Sequence, residues 1–118
     1  MELVFELLRY VENKSDSVTP ELPEIGGYTQ SEVSYHIKIL GQSGLLKIYD
    51  FSDNNGEEWA VIHMTNKGHD FYDELKQPEI LEVIKSEFKD ASLSTLISIV
   101  KGLAEKIAKN KIQSLGLN

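Results

Sequence analysis

The stretch from Tyr28 to Leu46, YTQSEVSYHIKILGQSGLL, most constrains what this chain can fold into, because it holds every signal of one delimited amphipathic helix. Thr29 is a good N-cap, and Glu32 stands three residues later at capping-box spacing. Tyr28 and Val33 occupy the positions of a hydrophobic staple. At the far end Gly44 suits the left-handed C′ position, which lets Leu45 fold back on Leu40. At about 100° per residue, Val33, Ile37 and Leu40 share one face with His36 on its flank. Ser31, Ser34, Tyr35, Lys38 and Gln42 fall on the opposite face.

Beyond this helix the chain is strand-like. Over residues 45–64, Leu46 and Ile48 alternate with Lys47 and Tyr49, and Ala60, Ile62 and Met64 alternate with Trp59, Val61 and His63. Asn55-Gly56 between the two runs supplies the positive-φ residues that a tight hairpin turn favours. The order is therefore helix, strand, turn, strand. Asp50, Asp53, Glu57 and Glu58 flank the turn with no base among them.

The remaining elements are helical or loop. Leu3, Val4, Leu7, Leu8 and Val11 give residues 2–13 a core-facing helical stripe. Residues 14–27, KSDSVTPELPEIGG, read as a loop with a short edge strand around Leu22 to Ile25. Downstream, Thr65 can cap a helix with Phe71, Tyr72 and Leu75 on its apolar side. Pro78 suits the first turn of the next helix, 79–89, with Ile80, Leu81, Ile84 and Phe88 as its stripe. Asp90 is the expected cap of a last long helix. Leu93, Leu96, Ile97, Val100, Leu103, Ala104 and Ile107 form its stripe, with Ile112 further on. The steps of three and four suit either a helical hairpin on residues 79–89 or a short coiled-coil seam. A homodimer through residues 79–113 is the favoured expectation.

A length of 118 residues suits one structural unit, a domain over 1–77 and a helical extension over 78–118. The chain has no cysteine, which excludes disulfides and thiolate metal sites and is compatible with a reducing cytosol. No apolar run approaches the ~20 residues of a membrane span. The first residues lack the basic start and apolar core of a signal peptide, so a cytoplasmic protein is expected.

Net charge is −7, from 12 basic and 19 acidic residues, which is unfavourable for phosphate contacts. Its distribution is uneven. Residues 28–49 carry +1 (Lys38 and Lys47 against Glu32), residues 50–58 carry −4, and residues 91–118 carry +3. Lys101, Lys106, Lys109 and Lys111 account for that basic end.

Little in the sequence points to catalysis. His69 and Asp73 are an i, i+4 pair that could hold one side of a metal site, but no third ligand stands at a diagnostic spacing. Ser34 and His36 point roughly 200° apart on a helix and cannot act as nucleophile and base together. Gly26-Gly27 is an isolated pair and not a phosphate-binding loop. Neither an enzyme nor a cofactor or metal is expected.

GYTQSEVSYHIKILGQSGLL and MTNKGHDFYDELK, with ASLSTLISIVKGLAEKI trailing, resemble a phage-associated bacterial family of unknown function with a winged-helix core. The helix-and-wing portion is also similar to the arsenic-repressor-like and phenolic-acid-repressor-like winged-helix regulators. The resemblance implies a mostly helical α+β fold, a winged helix with a two-stranded wing. By position it makes Ser31, Ser34, Tyr35, Lys38 and Gln42 the DNA-facing set. In two respects the chain departs from that pattern: Pro20, Pro23 and Gly26-Gly27 leave little room for the first helix of a helix-turn-helix, and the metal-sensing cysteines are absent. Two roles are expected from this combination. The one placed first, on the strength of the helix-and-wing resemblance, is a dimeric regulator binding double-stranded DNA, of a prophage or mobile-element operon. The other is an acidic protein-interaction module that meets a basic protein partner.

Overall fold

A computed structural model describes residues 1–116. Its elements are α1 (Glu2–Glu12), α2 (Gln30–Gln42), β1 (Leu46–Asp50), β2 (Trp59–Met64), α3 (Asn66–Leu75), α4 (Pro78–Glu87) and α5 (Leu93–Ser114). Five helices and one two-stranded antiparallel sheet make a mostly helical α+β fold in a winged-helix-like arrangement. The last two residues of the 78–118 extension lie outside the described residues.

Helix α2 forms where its local signals place it. Glu32 N–H donates to the Thr29 hydroxyl (3.1 Å), and Thr29 N–H donates to the Glu32 carboxylate (3.0 Å), so both halves of the capping box are made. Hydrogen bonds from the Thr29 backbone N–H and then its side chain hold the Glu32 carboxyl below its ordinary pKa, because its charged form is the acceptor. At the other end Gly44 takes φ +80°. Leu45 N–H then reaches Leu40 C=O (3.0 Å), and Gly44 N–H reaches Gly41 C=O (3.0 Å). These two bonds are a Schellman closure. Thr65, the N-cap of α3, donates its hydroxyl to Gly44 C=O (2.6 Å) and accepts Gly68 N–H (3.0 Å). Thr65 thus satisfies an orphan N–H of its own helix and a carbonyl in the turn that leaves α2.

The hairpin differs from strict alternation at one residue. Lys47 pairs with His63 but Ile48 pairs with Val61, so Ile62 is an extra residue on β2. A bulge resets the phase of a strand. Ala60, Val61 and Met64 are consequently buried, whereas Ile62 is only half-buried. The turn also differs. Asp53 and Gly56 exchange backbone hydrogen bonds (3.0 and 3.2 Å) around Asn54-Asn55. Gly56 has φ +137°, while no described non-glycine residue has a positive φ. The expected positive-φ pair at Asn55-Gly56 is therefore glycine alone.

The edge strand expected at Leu22–Ile25 is instead a single bridge at Glu21, which exchanges two 2.8 Å bonds with Val61. Pro20 and Pro23 flank it and have no N–H to extend the ladder. No helix occupies residues 14–28. Side chains hold this loop down. Asp16 accepts N–H groups from Val18 (2.9 Å) and Thr19 (2.8 Å), and the side chain of Lys14 is buried against Asp16 (3.2 Å) and Glu21 (3.8 Å). The Tyr10 hydroxyl donates to the Glu21 carboxylate.

One core joins all parts. Leu7, Leu8, Ile37, Leu40, Leu45, Val61, Leu75, Ile80, Ile84 and Val100 are almost wholly buried in it. Helix α5 packs on α3 and α4. Its N-cap is Ser92, whose hydroxyl accepts Thr95 N–H (3.3 Å), two residues later than the expected Asp90. Residues 88–91 form a turn in which Ala91 N–H bonds Phe88 C=O (3.1 Å), and this keeps Asp90 out of the helix start. No helix of the described residues is long and apolar enough to cross a membrane.

Candidate interaction surface on α2 and the wing

The outward face of α2 is not the open polar surface that periodicity suggests. Ser34, expected on that face, is buried, and its hydroxyl accepts Trp59 N–H at 2.7 Å. The reason is tertiary. β2 begins alongside α2, and the Ser34 hydroxyl there accepts the outward-facing Trp59 amide. Ser34 thus ties helix to wing and cannot reach a base edge.

Lys38 is also engaged. Its ammonium donates to both Glu57 carboxylate oxygens (3.1 and 3.0 Å) and lies 5.8 Å from the centre of the Trp59 ring. The Lys38 ammonium thus sits between the indole face and the acidic wing. Ser31 is exposed but lines a cleft of about 250 Å³ whose other walls include Ser34, Asp53, Gly56, Glu57 and Glu58. Tyr35 and Gln42 remain free, Tyr35 with 58% of its surface exposed. The Tyr35 ring meets His36 edge-on, with centroids 5.8 Å apart, and His36 Nδ1 donates to Glu32 C=O (2.8 Å).

The wing presents a different surface. Tyr49 and Phe51 are about half exposed and pack together with centroids 4.6 Å apart and ring planes tilted by 49°. Asp50 accepts Ser52 N–H (2.8 Å); hydrogen bonding from the Ser52 hydroxyl and then from this amide lowers its pKa, with the Lys38 charge adding in the same sense. The aromatic pair lies at the start of the acidic segment and has a sequence signal, the run Tyr49-Asp50-Phe51 with two aromatics around a carboxylate. Strand alternation ends at Tyr49 and so passes over Phe51.

The remaining candidates are dispersed. His69 pairs with Glu12 of α1 (3.2 Å) and Asp73 pairs with Lys76 (3.2 Å), so the i, i+4 pair is split between two partners. On α5, Leu96 and Val100 are buried inside the protomer, and Leu93, Ile97, Leu103 and Ile107 pack partly against the core. The first half of the stripe therefore serves the helical hairpin. Beyond it, among the described residues, Ile112 and Leu115 are the larger apolar residues that stand well exposed.

Helix, acidic wing and trailing helices define a winged-helix-like α+β protein with a carboxylate-rich wing. The chain belongs to the DUF2513 family of hypothetical proteins, which matches residues 1–94. It is 27% identical over 107 residues to an uncharacterized protein of Haemophilus influenzae (strain ATCC 51907 / DSM 11121 / KW20 / Rd), covering 90% of this chain and 91% of that relative. No solved structure matches the chain.

Proposed function

We propose that this protein is a non-enzymatic interaction module whose acidic wing receives a basic partner protein. The observation that carries this reading is the Lys38–Glu57 ion pair, which engages the single cation of α2. A helix that docks in a groove depends on free cations, because phosphate neutralisation supplies much of DNA affinity. Beside it the wing carries four carboxylates and no base over residues 50–58. Carboxylates opposite phosphates oppose association, whereas the same charges steer a cationic partner in.

The reading is tested by fluorescence anisotropy at about 50 mM salt, with a labelled duplex and a labelled scrambled Lys/Arg-rich dodecapeptide as probes. The peptide should bind with strong salt dependence. The duplex should not bind below about 100 μM, the weak end of non-specific affinity. Replacing Asp50, Asp53, Glu57 and Glu58 together by their amides should abolish peptide binding. Duplex binding by the wild-type chain, with a salt slope of several phosphates, would overturn the reading.

A second reading is a DNA-binding regulator of a prophage or mobile-element operon, dimeric through residues 79–113. The free side chains of Tyr35 and Gln42 and the exposed Lys101, Lys106, Lys109 and Lys111 favour it. In that case Glu57→Gln, which frees Lys38, should tighten duplex binding. Both readings assign the protein to the cytoplasm.

A further inference from the structure

The two edges of the wing are not equivalent. Phe51 N–H donates to Glu58 C=O (2.8 Å), which fixes the phase of the ladder. In an antiparallel pair, alternate residues turn their N–H and C=O toward and away from the partner strand. Counting back from Phe51, Tyr49 faces β2, while Ile48 and Asp50 face away. Their partners across the ladder, Val61 and Trp59, likewise point outward on β2. There Val61 meets Glu21 and Trp59 meets Ser34. The outer edge of β2 is thus occupied. Among the described residues, the backbone N–H and C=O groups of Ile48 and Asp50 have no hydrogen-bond partner.

We propose that this open edge of β1 receives an extended cationic segment of a partner protein as a third strand of the wing. The proposal rests on the reading of the wing as a site for a basic partner and adds how that partner is held. Outward N–H and C=O groups at Ile48 and Asp50 give an incoming strand its register. Leu46 to Phe51 offers about 20 Å of edge, enough for a six-residue strand. Tyr49 and Phe51 provide ring surface for alternate side chains, and Lys or Arg stems suit such faces. Charge selects the occupant. Lys47 stands against Asp50, Asp53, Glu57 and Glu58, so a cationic strand is attracted, while a second copy of the chain brings the same negative surface. Edge charges of this kind also discourage copies from pairing edge to edge.

The test uses the full chain and three synthetic peptides: alternating Lys-Val octapeptide, the same peptide N-methylated on alternate residues, and its Glu-Val counterpart. Amide hydrogen exchange by NMR is the readout. The Lys-Val peptide at saturation should slow exchange at Ile48 and Asp50 at least tenfold. The N-methylated peptide, which keeps the charge but loses the backbone donors, should not. Asp50→Pro removes one outward N–H without touching the β2 ladder and should weaken the Lys-Val peptide at least fivefold more than Asp50→Asn does. If the Lys-Val peptide binds but leaves both amides unprotected, strand addition is wrong and the acidic-surface reading stands. If no cationic peptide binds, both fail. Protection that grows with protein concentration in the absence of peptide would identify a second copy as the occupant and overturn the proposal.

Discussion

At Gly68 the start of α3 comes so close to the turn leaving α2 that a β-carbon would overlap Leu45 O and Met64 Cγ. Neither neighbour is a flexible tip, so Gly68→Ala should destabilise the protein by about 1–3 kcal/mol, the usual range for overpacking. Gly41 faces Ile48 in a similar way, but there the obstruction is a branched side chain and not backbone. Gly102 meets nothing within 4 Å and lies inside α5, so Gly102→Ala should stabilise by about 0.5–1 kcal/mol. Urea midpoints of the two variants should therefore move in opposite directions. Tyr10 gives a pH test. Its hydrogen bond to Glu21, helped by burial and by the carboxylate charge, pushes its pKa up to about 12. A raised pKa means that the bond stabilises the fold fully below pH 10 and ceases to do so as pH climbs toward 12. Solvent limits the effect to about 1 kcal/mol. Tyr10→Phe should be less stable than wild type at pH 8 by up to about that amount, and the gap should close by about pH 12. None of these contacts was legible from spacing, because Gly68–Leu45 and Tyr10–Glu21 join residues far apart in the chain.

Among the elements, α2 was readable down to its caps, since the capping box and the glycine closure are both local. The start of α5 was not. Asp90 and Ser92 are both good N-cap residues, and the short turn after Phe88 decides between them. Ser92→Ala should accordingly cost about 1 kcal/mol in thermal denaturation, and Asp90→Ala only a few tenths. The phase of β2 was hidden for a related reason. Ile62 is as apolar as Ala60 and Val61 before it, and the bulge is set by how β1 and β2 meet Glu21 and the core. Helix α5 was legible as amphipathic, and packing on α4 was one of two open alternatives, but its contact with α3 was not legible.

For the molecule as a whole, the 60 × 28 × 22 Å extents reflect α5 running beyond the body, and every residue from 108 to 116 is exposed. Ending the chain after Ile107 should leave urea stability within about 0.5 kcal/mol of wild type, as for surface changes generally. If stability instead falls, and falls more at higher protein concentration, a second copy covers that end of the helix. By itself the sequence determined the helices, the hairpin, the acidic wing tip and the core stripes, since capping, turn chemistry and periodicity act over a few residues. Only the tertiary structure decided which polar groups remain free. It set Ser34 under the Trp59 amide, laid Glu57 on Lys38 and left one edge of the wing open, because those outcomes depend on how separate elements approach in space.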